Sequence, residues 1–228
     1  MKYSGKASLA ALRLIGLSGA GVVGLIAVAF LAEVIGAFVL EFAGALIVLW
    51  AIFVVFAFYF FRDPDPLVPA GPNLIISPAH GKVDVIDTTT ELEYIGGECQ
   101  RISIFLSIID VHMQYAPVTA RVAYFKHTPG QYLNAMKAES AQFNENVLIG
   151  FDAAEPRGEK ISVRLIAGLI ARRIVPWIKE NDAVQRGGRI SLIQFGSRVD
   201  IYLPRRAKIK VKLNDKVIGG ETVIAAFD

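Results

Sequence analysis

A chain of 228 residues that is 54% hydrophobic, with a mean hydropathy of +0.46, is too apolar for an ordinary soluble domain of its size, so part of it belongs in lipid. Its 24 basic and 21 acidic residues leave a formal charge of +3, too small to point to nucleic acid, and no DNA- or RNA-binding motif occurs. The lone cysteine, Cys99, excludes an intrachain disulfide and a thiolate metal cluster; it reads as a small buried side chain and suits a reducing compartment.

Nineteen uncharged residues lie between Arg13 and Glu33, and twenty between Glu41 and Arg62. At about 1.5 Å of rise per residue each can cross a hydrocarbon core of roughly 30 Å. The pattern predicts a membrane anchor over residues 1–61 made of a two-helix transmembrane hairpin, 14–32 and 42–61. Gly16, Ala20 and Gly24 share one helical face and are expected to meet the second span. Lys2, Lys6, Arg13 and Arg62 flank the pair, while the segment from Glu33 to Glu41 carries acids only, which places both flanks on the cytoplasmic side. Trp50, in the middle of the second span, reads as a packing residue.

Phe61-Arg62-Asp63-Pro64-Asp65-Pro66 stops the helix, because proline lacks the amide donor and restrains the residue before it. The remaining 62–228 are enough for one domain. Leu74 to Val85 reads as strand, turn, strand with Gly81 in the turn. Arg101 to Ser107 alternates like a strand and leads into Asp110-Val111-His112, where the histidine is either a satisfied structural residue or a catalytic one. Lys126-His127-Thr128-Pro129-Gly130 reads as a turn with His127 exposed. Asn144-Glu145-Asn146 follows a short helical stretch. Val163 to Ile170 is an expected strand, and Arg172 and Arg173 at its end, with Arg198, Arg205, Arg206 and Lys208, could form a basic rim facing anionic headgroups, each charge worth about 1 kcal/mol. His80, His112 and His127 lack metal-ligand spacing, so no metal is expected.

Lys179 to Gly188 and Lys212 to Glu221 share Lys, Asn, Asp, Val and a glycine, and each precedes a β-rich run, Ile190 to Phe195 and Thr222 to Phe227. Two copies suit a β fold of two similar halves, as in the sandwich that carries lipoyl and biotinyl groups. The fold class expected is therefore a mainly β catalytic domain, sandwich- or barrel-like with a lipoyl-like C-terminal repeat, behind the membrane hairpin. Between the copies lies Leu192-Ile193-Gln194-Phe195-Gly196-Ser197-Arg198-Val199-Asp200. A serine after a glycine at a strand end is commonly a turn; it is also placed so that its hydroxyl could turn back on the Gly196 carbonyl, an attack that needs the bent backbone glycine adopts most easily.

Ile166 to Ile174, Lys179 to Gly188 and Phe195 to Pro204 follow in one order behind the Phe61-Arg62-Asp63-Pro64 segment, and this resembles the phosphatidylserine decarboxylases, specifically the short bacterial and archaeal type. The resemblance covers nearly the whole chain. It implies a proenzyme that cuts itself between Gly196 and Ser197 by serinolysis and turns Ser197 into a covalent pyruvoyl group. That group would form a Schiff base with the substrate amine and accept the electrons left by departing carbon dioxide, giving phosphatidylethanolamine. It further implies that the large and small fragments remain together as a heterodimer. His80 stands where the family usually has an aspartate assigned to self-cleavage, and imidazole is a competent base near neutral pH. His112 falls in the family's D-x-H segment and is expected to be catalytic, while Tyr115 replaces a second histidine of longer relatives. The Asn-Glu-Asn motif is partial, broken by Val147, and carries no assigned role. The alternatives are an archaetidylserine decarboxylase of the same chemistry, or a membrane-tethered lipid-binding β module that never matures.

Overall fold

The computed structural model describes residues 6–133, 143–169, 173–194 and 196–228, with side chains in the first helix described from Ile15 onward. The helical stretch expected before Phe143, and Ile170, Arg172 and Phe195, lie outside the described residues. The chain divides into two compact units between Ala57 and Phe58.

The first unit is formed by α1 (Lys6–Phe60), a single helix of 55 residues whose last turn already belongs to the second unit. This corrects the expected two-helix hairpin. The Glu33 to Glu41 segment contains no proline, and its one glycine, Gly36, costs only about 1 kcal/mol relative to alanine, so nothing in it breaks the hydrogen-bond ladder. The stretch Ile15–Phe60 is long and apolar enough to cross a membrane. Side chains such as Leu17, Leu25, Phe38 and Leu49 are exposed, as on a helix that is apolar all round. At Gly16 and Gly24 the space that a Cβ would fill is open, so the small-residue face meets no second span. Without a hairpin, the argument that held both flanks on one side lapses.

The second unit is β-structured. Its strands are β1 (Leu74–Ile76), β2 (Gly81–Glu91), β3 (Gly97–Leu106), β4 (Met113–Tyr115), β5 (Thr119–Thr128), β6 (Asn146–Glu155), β7 (Lys160–Ala167), β8 (Ile174–Pro176), β9 (Ala183–Val184), β10 (Arg189–Ile193), β11 (Ser197–Leu203), β12 (Lys208–Ile209), β13 (Lys216–Val217) and β14 (Val223–Ala226). Eight form one antiparallel sheet in the order β13-β2-β3-β11-β7-β6-β5-β9, and two three-stranded sheets, β1-β14-β12 and β4-β10-β8, complete the unit. His127 lies in β5 and not in the turn expected for it, and β7 ends at Ala167.

The two orders repeat one another, with β1 to β3 corresponding to β4 to β6 and β7 to β10 to β11 to β14. The sequence repeat is the local expression of this. Asn181 and Asn214 both take a left-handed φ of 74°, the Lys179 N–H donates to Asp182 Oδ2 at 2.9 Å, and the Lys212 N–H to Asp215 Oδ2 at 2.8 Å. The lipoyl-like sandwich expected for the repeat is not confirmed: the two copies are turn-and-edge-strand units that close opposite edges of the eight-stranded sheet.

One face of that sheet carries Ile102, Ile104, Leu106, Val163, Leu165, Val199, Ile201 and Leu203, all buried with Ile75, Ala116, Ile190 and Ile224 of the smaller sheets in one core. The other face is polar. Arg198, Asp200 and Tyr202 alternate with the core residues along β11, beside Arg101 and Ser103 on β3 and Arg164 on β7. Because β11 is central and both its faces are covered, all seven of its residues are buried, Ser197 among them.

Candidate active site

β11 begins at the serine. Leu106 of β3 and Ala167 of β7 sit opposite Ser197 in the ladder, and Gly196 just before it takes a φ of +72°, a conformation open to glycine and costly for other residues. The Gly196 carbonyl accepts the Gly168 N–H at 3.1 Å, and the Gly196 N–H donates to His112 Nε2 at 3.1 Å. Both ends of the residue before the serine are therefore held. The Ser197 hydroxyl is fully buried and has no hydrogen-bond partner, which leaves its lone pairs free.

His112 is fixed on three sides. Its Nδ1 lies 2.9 Å from the Asp110 carbonyl oxygen, so Nδ1 carries the proton and Nε2 is the acceptor for Gly196. Phe60 stacks on the ring at 4.3 Å between centroids, and Gln114 Nε2 donates to the His112 carbonyl at 2.6 Å. Burial lowers the pKa of His112 to about 4, against the opposing pull of the Asp110 carbonyl and carboxylate. The imidazole is neutral at pH 7. Asp110 in turn accepts the Ser107 N–H at 2.8 Å and the Ser107 hydroxyl at 2.6 Å, a turn that sets its carbonyl toward the ring.

His80 precedes β2. The ladders put Lys82 opposite Phe105 and Phe105 opposite Arg198, so His80 lies beyond the same strand ends as Ser197 and two strands away, about 10 Å. Its Nδ1 is buried without a partner, and burial lowers its pKa while the Asp110 carboxylate raises it. Asp110 acts on both histidines, and the charge of His80 is felt at His112. The side chain is packed closely: a Cβ on Gly219 would come within 2.8 Å of His80 Nδ1. Tyr115 stands beside it with ring centroids 6.0 Å apart, and burial pushes the phenol up to about 12.

Sequence reasoning missed three contributors. Gly168 supplies the N–H on the Gly196 carbonyl; the signal was a glycine closing a strand. Asn144 is buried and ties two loops, its Oδ1 accepting the Leu133 N–H at 2.8 Å and its Nδ2 donating to the carbonyls of Leu133 and Ala167, next to Gly168. The Asn-Glu-Asn motif was the signal, and Glu145 within it accepts from His127 Nε2 at 3.0 Å and from the Tyr132 hydroxyl. Phe60 gave no signal at all.

The basic rim does not form. Arg198 is buried between Asp84, 2.7 Å from its Nη2, and Asp200, 3.3 Å from its Nε. Burial raises the pKa of both carboxylates, with Arg198 opposing. Arg205 and Arg206 lie at the far end of β11, about 20 Å from Ser197 along the strand, and are paired with Glu98 and Glu159. Alternation decided this: a charge adjacent in sequence to the serine points to the opposite face of the sheet. His127 is exposed as expected, on β5, three strands from β11.

This arrangement can do acyl chemistry on its own backbone. A free hydroxyl neighbours a carbonyl polarised by an N–H donor, and a neutral imidazole holds the N–H of the same glycine, on the preceding peptide. Four comparisons with known proteins bear on it. A family model described as phosphatidylserine decarboxylase matches residues 53–225. The chain is 43% identical over 179 residues to a phosphatidylserine decarboxylase proenzyme of Desulfotalea psychrophila, covering 78% of this chain and 83% of that one. It is 42% identical over 182 residues to the protein of the same description from Cytophaga hutchinsonii, covering 80% and 81%, and 37% identical over 185 residues to that of Symbiobacterium thermophilum, covering 78% and 85%.

Proposed function

The chain belongs to the phosphatidylserine decarboxylase family, and on that premise we propose that it is a membrane-held proenzyme that cleaves itself at Gly196–Ser197 and then converts phosphatidylserine to phosphatidylethanolamine and carbon dioxide. The observation that carries this reading is the buried, unpartnered Ser197 hydroxyl beside a Gly196 carbonyl that is already held by the Gly168 N–H.

Ser197 Oγ attacks the Gly196 carbonyl carbon; the developing oxyanion is stabilised by the Gly168 N–H, and the bond from Gly196 to the Ser197 nitrogen breaks as that nitrogen takes up a proton. The ester so formed is lost by β-elimination once a base removes the Ser197 α-proton, leaving a Gly196 carboxylate. Water then replaces the nitrogen of the dehydroalanine, releasing ammonia. The residues present fit a pyruvoyl group at position 197, since nothing occupies the hydrogen-bonding capacity of the side chain there. The group supplies an electron sink for loss of carbon dioxide from an amine-bearing substrate.

Neutral His112 orients Gly196 through Nε2 before cleavage. Cutting the chain releases that N–H and frees Nε2 to carry a proton beside position 197. His80, with an unpartnered Nδ1, is the nearby group for removing the α-proton in place of the family aspartate. The fragments are expected to stay together as a heterodimer, because 197–228 contributes the strand between β3 and β7. The helix, long and apolar enough to cross a membrane, supports a membrane location.

The test is the intact mass of the purified chain. Two fragments ending at Gly196 and beginning at 197, the smaller lacking a free amine, support the proposal, and Ser197→Ala should remain one chain. An intact wild-type chain that still decarboxylates refutes the mechanism. An intact, inactive chain makes it a lipid-binding module instead.

A further inference from the structure

The two ends of the eight-stranded sheet differ. At one end β3 stops at Leu106, β11 starts at Ser197, β7 stops at Ala167, β6 starts at Asn146 and β5 stops at Thr128, all in register with one another. The segments just past these ends present Ile109 at 67% exposure, Leu169 at 63% and Phe143 at 57%, with Ile108, Leu133 and Phe61 also exposed. The opposite end carries Glu98, Arg157, Lys160, Arg205 and Arg206 on its surface, with Leu92 exposed in the turn between β2 and β3.

Singly exposed leucines need no explanation, but a set drawn from separate loops and gathered at one end does. That end is also where the reactive bond sits. The chain enters the unit there as well: Phe60 lies on His112, and Arg62 Nη2 donates to the Ile109 carbonyl at 2.7 Å, holding the loop outward. Arg173, exposed at the same strand ends, adds a positive charge, while Asp110 and Glu145 there are half-buried and engaged by Ser107 and by His127 and Tyr132.

We propose that this apolar rim is a membrane-docking edge, with Ile109 and Leu169 entering the bilayer surface so that a lipid headgroup reaches Ser197 while its tails stay in the membrane. The occupant is the phospholipid bilayer itself. Apolar side chains flanked by arginine suit the boundary between headgroups and acyl chains, about 5–10 Å below the surface. The inference rests on the proposed lipid-decarboxylating function, yet it assigns the rim a role separate from the chemistry. It also replaces the expected electrostatic rim with a hydrophobic one at a different set of residues.

The full chain is reconstituted in nanodiscs of phosphatidylcholine and phosphatidylserine as Ile109→Cys, Leu169→Cys and, at the opposite end, Leu92→Cys, each carrying a nitroxide label. Native Cys99 is buried and its thiol pKa is raised by that burial, so labelling falls on the introduced thiols. Labels at 109 and 169 should collide several-fold more with dissolved oxygen than with a water-soluble nickel chelate, and the label at 92 the reverse. Water-type access at all three positions overturns the proposal. So does dipolar broadening at 109 or 169 without lipid access, which makes the rim a contact between two copies. Self-cleavage is read on the same samples: lipid-type rim labels on an uncleaved chain sustain the rim and refute the function, whereas water-type labels on a cleaved chain do the opposite.

Discussion

If the His112 ring is neutral because it is buried, protonating it must cost the fold a definite amount. Its pKa falls from an ordinary 6.5 to about 4, which corresponds to about 3 kcal/mol of stability. The sign follows from proton counting. Between these values the unfolded chain binds a proton that the folded one refuses, so the contribution is complete above about pH 6.5 and is lost as pH falls toward about 4. The structural cause is specific: Nε2 accepts the Gly196 N–H, and a proton there would set two donors against each other inside a dry site. Two other groups oppose the trend, since burial raises Asp84 and Asp200 and their protonation in the fold favours it at low pH. The difference between proteins isolates His112. The full chain carrying Ser197→Ala, which cannot cleave, is unfolded by denaturant in detergent from about pH 7.5 to about 4.5, with and without His112→Phe. The phenylalanine removes the titrating group, at a pH-independent loss of the Gly196 acceptor, so the gap between the two proteins should close by about 2–3 kcal/mol on acidification. A gap that does not change with pH, or one that stops closing by about pH 6, refutes the reasoning.

Removing the buried guanidinium by Arg198→Met leaves Asp84 and Asp200 facing each other uncompensated and should cost about 3–5 kcal/mol, read as a lowered denaturant midpoint; a change within about 0.5 kcal/mol would mean the carboxylates are already protonated. At position 80, alanine should slow self-cleavage and aspartate should preserve or speed it, as followed by the appearance of the small fragment after synthesis. Equal processing of His80→Ala, His80→Asp and the parent chain would take His80 out of the mechanism.

The bond proposed to react could be picked out locally. Gly196-Ser197 at the head of an alternating apolar run needed only neighbours in sequence to be read, and the structure gives Gly196 a left-handed φ and starts β11 at Ser197. The Asp110 to His112 segment was legible for the same reason. Helix continuity was harder, because acids at 33 and 41 resemble a polar turn in composition, yet without proline or paired glycines no backbone hydrogen bond has to break. Nothing local reveals that Gly168 is hydrogen-bonded to Gly196, 28 positions on, or that Asn144 reaches Ala167. Those pairings exist because β7 lies between β6 and β11, and strand order is set by how the whole sheet buries its core. The same cause turned Arg198 inward to Asp84 and left Ile109 and Leu169 at the rim. Residue type and spacing determined which bond is proposed to react; the partners that hold it, and the face each charge takes, were decided by contacts between strands distant in sequence.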